Sequence, residues 1–263
     1  NFIKHINPPG GGKEATGLVT RFTRRPTSAP ASHPVDVKLL SEGDVIKILG
    51  NSYYSDIDAE KVAYDITSDD IHNHLTALQK KRQPSPTGGV NEDDMVDIMD
   101  YFRRRFKNSM EKFQGDFWPT AVDLAPHLLA EDRAKLMSLL WGEIDPLTQA
   151  YLRLSETLAK IGNDPQAYCA LNVLVEKTAD GYSQEHGIVN VDILSRMGRA
   201  DDDLVELLPV NGGEVMGAQS ISRATLAALV AELNFVLAEK PRAELLENVD
   251  LLDFPGYRGR LQI

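Results

Sequence analysis

The sequence contains one cysteine, Cys169, among 263 residues. A single thiol excludes a disulfide framework and a zinc site built from several cysteines, and it fits a reducing compartment. No uninterrupted apolar run approaches the roughly 18 residues of a membrane-spanning helix, and the most apolar stretch, residues 224–237, contains Glu232. The first residues also lack the basic and apolar regions of a signal peptide. We therefore expect a cytoplasmic protein with no membrane segment in this sequence.

Basic residues are scarce as well, because 28 Lys and Arg stand against 39 Asp and Glu and give a formal net charge of −11. A nucleic-acid-binding surface needs an excess of positive charge, so we expect no nucleic-acid partner. Residues 1–40 differ from the rest, with six basic and two acidic side chains. This basic stretch could face an anionic ligand or could be a solvated loop.

Hydrophobic residues make up 42% of the chain, which is ordinary for a folded domain, and the length allows one large domain or two smaller ones. Residues 7–34 are rich in Gly, Pro, Ser and Thr and are expected to be mostly loop. A loop of this length inside a compact domain is usually functional or mobile. The alternation of apolar and charged residues in Val35–Leu40 then predicts a strand with one buried face.

Helical patterns dominate the next hundred residues. Ser41 is expected to begin one helix, and Lys80-Lys81-Arg82 to end another. Apolar residues three and four positions apart predict further helices with buried stripes. These stripes are Met95, Ile98, Met99, Phe102 and Phe106; Leu136, Leu139 and Leu140; and Tyr151, Leu154, Leu158 and Ile161.

The pattern changes in the last third of the chain. Short strands are expected at Ile188–Ile193 and at Leu204–Val210, the second followed by a turn at Asn211-Gly212-Gly213. A helix is expected from Ser222 to roughly Glu239, ended by Pro241. Residues 249–254 then read as a buried strand that runs into the Pro255-Gly256 turn.

Two groups of residues suggest phosphate chemistry, but each fits it poorly. The run Gly10-Gly11-Gly12-Lys13 is not a phosphate loop, because Asn7 and Glu14 stand where that loop needs Gly and Ser or Thr. Asp93, Asp94 and Asp97 could gather Mg²⁺ around a diphosphate as in helical isoprenoid synthases, with Asp202–Glu206 as a second cluster. Acidic residues are also common in the first turn of any helix. An isoprenoid-type enzyme is therefore a minor alternative.

A more specific signal comes from two motifs at opposite ends of the chain. Asp253-Phe254-Pro255-Gly256 places an aspartate at the carboxyl end of a predicted strand and a glycine three residues later. Ligands of open α/β sheets bind beyond the carboxyl ends of strands. Thr16-Gly17-Leu18-Val19-Thr20-Arg21 lies in the predicted loop, where nucleotide switches carry the threonine that binds Mg²⁺. Together the motifs indicate a nucleotide site.

The two motifs resemble switch I and switch II of dynamin-type P-loop GTPases. More narrowly, residues 6–23 and 249–260 resemble the SrfC-like virulence-factor family of bacteria. The resemblance implies Mg²⁺ and GTP as cofactors. It implies that Thr20 binds Mg²⁺ and senses the γ-phosphate, that Asp253 holds Mg²⁺ through water, and that the N–H of Gly256 contacts the γ-phosphate. Arg21, next to the switch threonine, is expected to contribute to nucleotide binding.

The resemblance also implies a domain organisation. We expect an α/β fragment of a P-loop GTPase-like domain that carries a large, mainly helical insertion. Residues 1–40 would supply the switch I loop and a strand, residues 41–248 the insertion with a small β element, and residues 249–263 a strand and switch II. The competing hypothesis is a non-catalytic helical module that binds a protein partner or self-associates through the insertion.

Parts of such a GTPase are missing from the sequence. The chain starts at Asn1 without Met, and a Gly-Lys-Ser/Thr phosphate loop is expected upstream of it. No Asn-Lys-x-Asp motif for guanine follows Gly256, and Tyr257 stands where Ras-like enzymes place a water-orienting Gln. We therefore expect these residues alone to bind neither GTP nor ATP appreciably, because most phosphate contacts would come from the upstream loop.

Overall fold

A computed structural model describes residues 18–25, 27–56, 64–179, 181–237 and 247–254. The chain divides into two compact units, of which unit 1 comprises Asn1–Leu40 and Asp164–Ile263, and unit 2 comprises Ser41–Asn163. The helical unit begins at the residue expected for the insertion but ends far earlier than residue 248. Residues after Asn163 instead supply strands to the sheet of unit 1, because they pair with the N-terminal strands. No helix among the described residues is both long and apolar enough to cross a membrane.

Unit 2 consists of helices and the loops between them, with no strand among its described residues. Its helices are α1 (Glu42–Asn51), α2 (Ser68–Gln79), α3 (Glu92–Arg105), α4 (Phe117–Leu124), α5 (Ala130–Ser138) and α6 (Asp145–Lys160). Ser41, Thr67 and Asn91 cap the first three helices, each in a capping box with an aspartate three residues later. The predicted helix start at Ser41 is confirmed, and α2 ends just before Lys80 as predicted.

The predicted apolar stripes form the core of unit 2. The largest buried side chains include Met95, Ile98 and Phe102 from α3 and Tyr151 from α6, each 0% exposed. Trp118 and Trp141 complete this core, both also at 0% exposure. Burial of aromatic and aliphatic side chains on this scale is what stabilises helices of these lengths, since their intrinsic propensity alone does not.

One ionic network lies inside this core. Glu42 and Arg133 are 3% and 4% exposed, and the guanidinium Nε and Nη2 donate to the two carboxylate oxygens at 2.6 and 3.2 Å. The hydroxyl of Tyr151 donates to the same carboxylate, while Arg133 Nη1 donates to the carbonyl of Leu128 at 2.6 Å. Burial, followed by the negative charge of Glu42, raises the pKa of Tyr151 well above its ordinary value. The network ties α1, α5 and α6 together with both charges paired.

Gly89 packs directly against this network. It adopts φ +89°, and a Cβ at this position would lie 2.2 Å from Glu42 Oε2 and 2.5 Å from Arg133 Nη2. The neighbouring Gly88 has a similar φ of +82°, but its Cβ would meet only Asn163 Nδ2 at 3.7 Å. The two glycines therefore share the backbone constraint and differ in the space beside them.

We expect Gly89→Ala to destabilise the protein by at least about 2 kcal/mol more than Gly88→Ala. Both substitutions carry the strain of a left-handed backbone, roughly 1–2 kcal/mol, whereas only Gly89→Ala displaces a buried ion pair. Urea unfolding of the two variants measures the difference in the free energy of unfolding. Equal losses would show that the ion pair moves aside at little cost.

Unit 1 is built on a mixed sheet. Its strands are β1 (Val19–Thr23), β2 (Val35–Leu39), β3 (Gln166–Cys169), β6 (Leu204–Asn211), β7 (Glu214–Val215), β8 (Gln219–Ser222), β9 (Val230–Val236) and β10 (Leu251–Asp253), with β4 (Glu176–Thr178) and β5 (Gly181–Ser183) forming a separate hairpin. Within the described residues the order is β10-β1-β9-β2-β3-β6-β7, and β8 pairs with β6. The β1–β9 pair is parallel and the other pairs are antiparallel.

Several predicted strands of unit 1 are confirmed. β2 buries Val35, Val37 and Leu39 at 3%, 0% and 2% exposure, as the alternation predicts. β6 matches the strand predicted at residues 204–210, and the following turn places Gly212 and Gly213 at φ +59° and +86°. These positive values explain why glycines occupy the turn.

The helix predicted from Ser222 to roughly Glu239 is wrong beyond Leu229. Ser222 caps a short helix, α7 (Arg223–Leu229), as predicted, but the chain continues as β9. Apolar residues in this stretch satisfy the helical period and also suit a strand. Pairing on both sides, parallel with β1 and antiparallel with β2, selects the strand. The tail of the predicted helix and its proline stop at Pro241 lie outside the described residues.

Two other strand predictions need correction. Residues 188–193 contain no strand, and a 3₁₀ helix, Val191–Arg196, begins there with the Asn190 side chain accepting from the N–H of Asp192. The strand predicted at residues 249–254 is shorter and is not buried, since Leu251 and Phe254 are 52% and 65% exposed. Among the described residues β10 pairs with β1 alone, so it is an edge strand of the sheet.

Candidate functional site

The candidate site lies where β1, β9 and β10 meet, and alternation along the strands divides it between the two faces of the sheet. The first, here called the apolar face, carries Thr20, Phe22, Val37, Leu233, Phe235, Leu251 and Asp253. The second, here called the polar face, carries Arg21, Thr23, Asp36, Lys38, Glu232, Asn234 and Asp250. Thr20 and Asp253 are thus polar residues on an otherwise apolar surface.

Thr20 and Asp253 are direct cross-strand partners. They are paired in the antiparallel β1–β10 register, so their side chains leave the same face with Cα atoms about 4.5–5.5 Å apart. Thr20 is 0% exposed, and its hydroxyl has no hydrogen-bond partner among the described residues. A buried hydroxyl without a partner costs free energy, and such a group calls for an explanation, for example a missing ion or ligand.

The predicted positions of the site residues need two corrections, for Thr20 and for Arg21. Thr20 was predicted in a loop, but it lies inside β1, because residues 19–23 are held between two partner strands. Arg21 lies on the polar face, opposite to Thr20 and Asp253. Gly256, Thr16 and Tyr257 lie outside the described residues, so the contact predicted for the N–H of Gly256 stays a prediction.

Arg21 forms the most extensive charged contact of the polar face. Its Nε and Nη2 donate to Glu232 Oε1 and Oε2 at 2.6 and 3.1 Å, and its Nη1 donates to Asp250 Oδ2 at 3.1 Å. The hydrogen bonds with Glu232, which contribute most, and with Asp250 raise the pKa of Arg21. The guanidinium is thus paired with two carboxylates. Glu232 lies on the interior strand β9, and Asp250 directly precedes the edge strand β10.

The carboxylate of Asp250 interacts with the side chains of Thr23, Arg21 and Arg25. A hydrogen bond with the Thr23 hydroxyl is the main cause that lowers the pKa of Asp250, and Arg21 and Arg25 add to the effect. Arg25 Nη2 is 3.9 Å from Asp250 Oδ2, and the Thr23 hydroxyl also accepts from the Arg25 N–H at 3.0 Å. A carboxylate stabilised in this way is charged throughout the physiological pH range.

Asp36 forms a second polar cluster on this face. It is 8% exposed and accepts from Gln166 Nε2 at 3.1 Å and from Asn234 Nδ2 at 3.3 Å. The two clusters line an open concavity of about 300 Å³. Sequence reasoning missed Asp36, Glu232, Asn234 and Asp250 as members of one surface. The alternation around Asp36 was a usable signal, whereas nothing in the sequence links that residue to the strand at 230–236.

The acidic residues proposed as an isoprenoid-type metal site, around Asp93 and Asp202, include helix caps and ion-pair partners. Asp94 completes the capping box of α3, and Asp97 pairs with Lys47. Asp202 accepts from the N–H of Ala224, and Asp203 accepts from Arg223 Nε at 2.9 Å, so both stabilise the start of α7. In the part of the chain that the structure describes, no three His, Cys, Asp or Glu side chains are grouped to hold a metal ion.

Comparison with protein-family models identifies a family that covers the whole chain. The family described as "Putative bacterial virulence factor" matches residues 1–263. Comparisons with curated proteins and with solved structures found no match. The virulence-factor part of the sequence resemblance is therefore confirmed, while its link to dynamin-type GTPases stays a prediction.

We expect Thr20→Val to raise the free energy of unfolding by about 1 kcal/mol, because valine has the same shape and removes a buried hydroxyl that lacks a partner. Thr23→Val is the matched control on the same strand. It should lower the free energy of unfolding by about 1–2 kcal/mol, since the Thr23 hydroxyl serves Asp250 and the Arg25 N–H.

Urea unfolding without added metal or nucleotide measures both changes. A loss of stability in Thr20→Val as large as that in Thr23→Val would mean that the Thr20 hydroxyl has a structural partner. The interpretation of the Thr20 hydroxyl as a candidate metal ligand without a structural partner would then be wrong.

Proposed function

This chain belongs to the family of putative bacterial virulence factors, and we propose that Thr20 and Asp253 form part of a Mg²⁺ and GTP site in a dynamin-like P-loop GTPase. One observation carries the proposal: two residues 233 positions apart in sequence are cross-strand partners on one face of the sheet. The sequence motifs predicted their roles separately, and their pairing is an independent reason to assign them to one site.

The chemistry of the two groups fits this metal. Mg²⁺ prefers oxygen ligands and is usually held by one or two protein groups together with phosphate oxygens and water. A threonine hydroxyl and an aspartate are the pair of groups that P-loop enzymes use. The unpartnered, buried hydroxyl of Thr20 supports this assignment, because a metal or a metal-bound water would satisfy it.

Each residue would have a distinct task. Thr20 would present its oxygen to Mg²⁺ from a strand that is paired on both sides, which limits its movement. Asp253 would accept hydrogen bonds from metal-bound water at the end of β10. Mg²⁺, when bound with GTP, would supply charge neutralisation between the β- and γ-phosphates. Gly256 would donate its N–H to the γ-phosphate under the same proposal.

Arg21 is not part of this metal and phosphate site. The sequence prediction gave it a role in nucleotide binding, but its guanidinium lies on the opposite face in ion pairs with two carboxylates. A phosphate that bound Arg21 would have to displace Glu232 and Asp250. We therefore keep Thr20, Asp253 and Gly256 in the proposed site. A cytoplasmic location, where GTP is available, belongs to the same proposal.

In the protein with its expected upstream phosphate loop, we expect Thr20→Ala and Asp253→Ala each to reduce Mg²⁺-dependent GTP hydrolysis roughly 100-fold or more, because both would remove electrostatic stabilisation of the transferred phosphoryl group. Thr76→Ala and Asp201→Asn are the controls, since both residues are exposed and line neither face of the site. Thr16→Ala should matter less than Thr20→Ala. The measurement is phosphate release as a function of Mg²⁺ concentration.

Hydrolysis that survives both Thr20→Ala and Asp253→Ala would show that these residues are not the Mg²⁺-binding residues of switch I and switch II. The non-catalytic alternative would then lead, with unit 2 as the interaction module. Its compact core and buried ionic network would suit a rigid surface for a protein partner or for a second copy of the chain.

A further inference from the structure

The position of Asp253 depends on an edge strand with little support of its own. β10 has three residues, all paired with β1, and no other described strand pairs with it. Its apolar side chains bury little surface, since Leu251 and Leu252 are 52% and 37% exposed. Short, exposed edge strands open more readily than interior strands. Something other than apolar burial must fix this strand in place.

The register of β10 matters as much as its presence. A slip of one residue against β1 would move Asp253 to the polar face, away from Thr20. A slip of two residues would leave Asp253 on the apolar face but opposite a different residue. The backbone hydrogen bonds of an antiparallel pair can form again after a slip of two, so side chains must select the register.

Arg21 has the contacts needed for this selection. Its bidentate pair with Glu232 anchors the guanidinium to β9, an interior strand with partners on both sides. The remaining nitrogen reaches Asp250, the residue just before β10. In the observed register Asp250 directly precedes Leu251, the partner of Phe22, and it accepts a hydrogen bond from the Thr23 hydroxyl as well. A slip of either length would remove Asp250 from this pair of donors.

We propose that Arg21 is a positioning residue that fixes the register of β10 and thereby sets Asp253 beside Thr20. This inference rests on the proposed function for its catalytic meaning, but its structural content can be tested separately. Arg21 acts from the opposite face of the sheet, where it would contact neither the metal nor the phosphate of the proposed site. Its rigid fork suits the task, because lysine offers a single charged nitrogen and cannot bridge two carboxylates in the same way.

Disulfide trapping tests the register directly. Phe22 and Leu251 are cross-strand partners in the observed register, and facing Cα atoms in such a pair are close enough for a disulfide. The pair Phe22→Cys and Leu251→Cys leaves Thr20 and Asp253 intact. The native Cys169 competes little, because it is 0% exposed and burial raises its pKa to about 12. The control is Glu206→Cys with Ser220→Cys, partners in the β6–β8 pair.

We expect Arg21→Gln to slow disulfide formation between positions 22 and 251 by about 10-fold or more, with no change in the control pair. Asp250→Asn should have a similar effect, and the double substitution should add little, because both act on one interaction. Arg21→Lys should fall between the native residue and Arg21→Gln. Unchanged trapping in Arg21→Gln would overturn the inference, as would equal slowing of the control pair.

A second readout separates this inference from the proposed function. In the protein with its expected upstream phosphate loop and no added cysteines, Arg21→Gln should raise the Mg²⁺ concentration for half-maximal GTP hydrolysis about 10-fold, with partial recovery in Arg21→Lys. If the unsubstituted protein shows no Mg²⁺-dependent hydrolysis, the proposed function fails. The trapping result then still decides whether Arg21 fixes the register of β10.

Discussion

The parallel pairing of β1 with β9 is the constraint on which unit 1 depends. It inserts an N-terminal strand between the interior of the sheet and the edge strand β10, so that residues from both ends of the chain become neighbours. Arg21 and Asp250 are 229 positions apart, yet their side chains form an ion pair. Without β1 in this position, β10 would have no described partner strand, and Thr20 and Asp253 would not face each other.

Buried polar groups occur in two different situations in this structure, with hydrogen-bond partners and without them. In unit 2, Glu42, Arg133 and Tyr151 satisfy one another, which is the usual condition for buried charge in a stable core. In unit 1, Thr20 is equally buried and lacks a described partner. The first arrangement stabilises a helical unit, whereas the second costs stability. Trp118 Nε1 in unit 2 and Asn234 Oδ1 in unit 1 also lack a described partner, so it is the position of Thr20 opposite Asp253 that assigns its hydroxyl to a site.

Local features of the fold could be predicted from the sequence, and long-range features could not. The caps at Ser41 and Ser222 depend on hydrogen bonds within three residues, and the sequence shows them directly. The strand at residues 230–236 was misread as helix, because its identity depends on partners at residues 19–23 and 35–39. The polar face was missed for the same reason. Thr20 and Asp253 were found through motifs, but their pairing appears only in the fold.

The most direct measurement of the central claim is anomalous diffraction from Mn²⁺, used in place of Mg²⁺, in crystals of the protein with its expected upstream phosphate loop and a non-hydrolysable GTP analogue. We expect a single strong metal peak at roughly 2.0–2.3 Å from the Thr20 hydroxyl oxygen, with a water between the metal and the Asp253 carboxylate. A peak on the polar face at Asp36 or Asp250, or nucleotide bound without metal near Thr20, would contradict it.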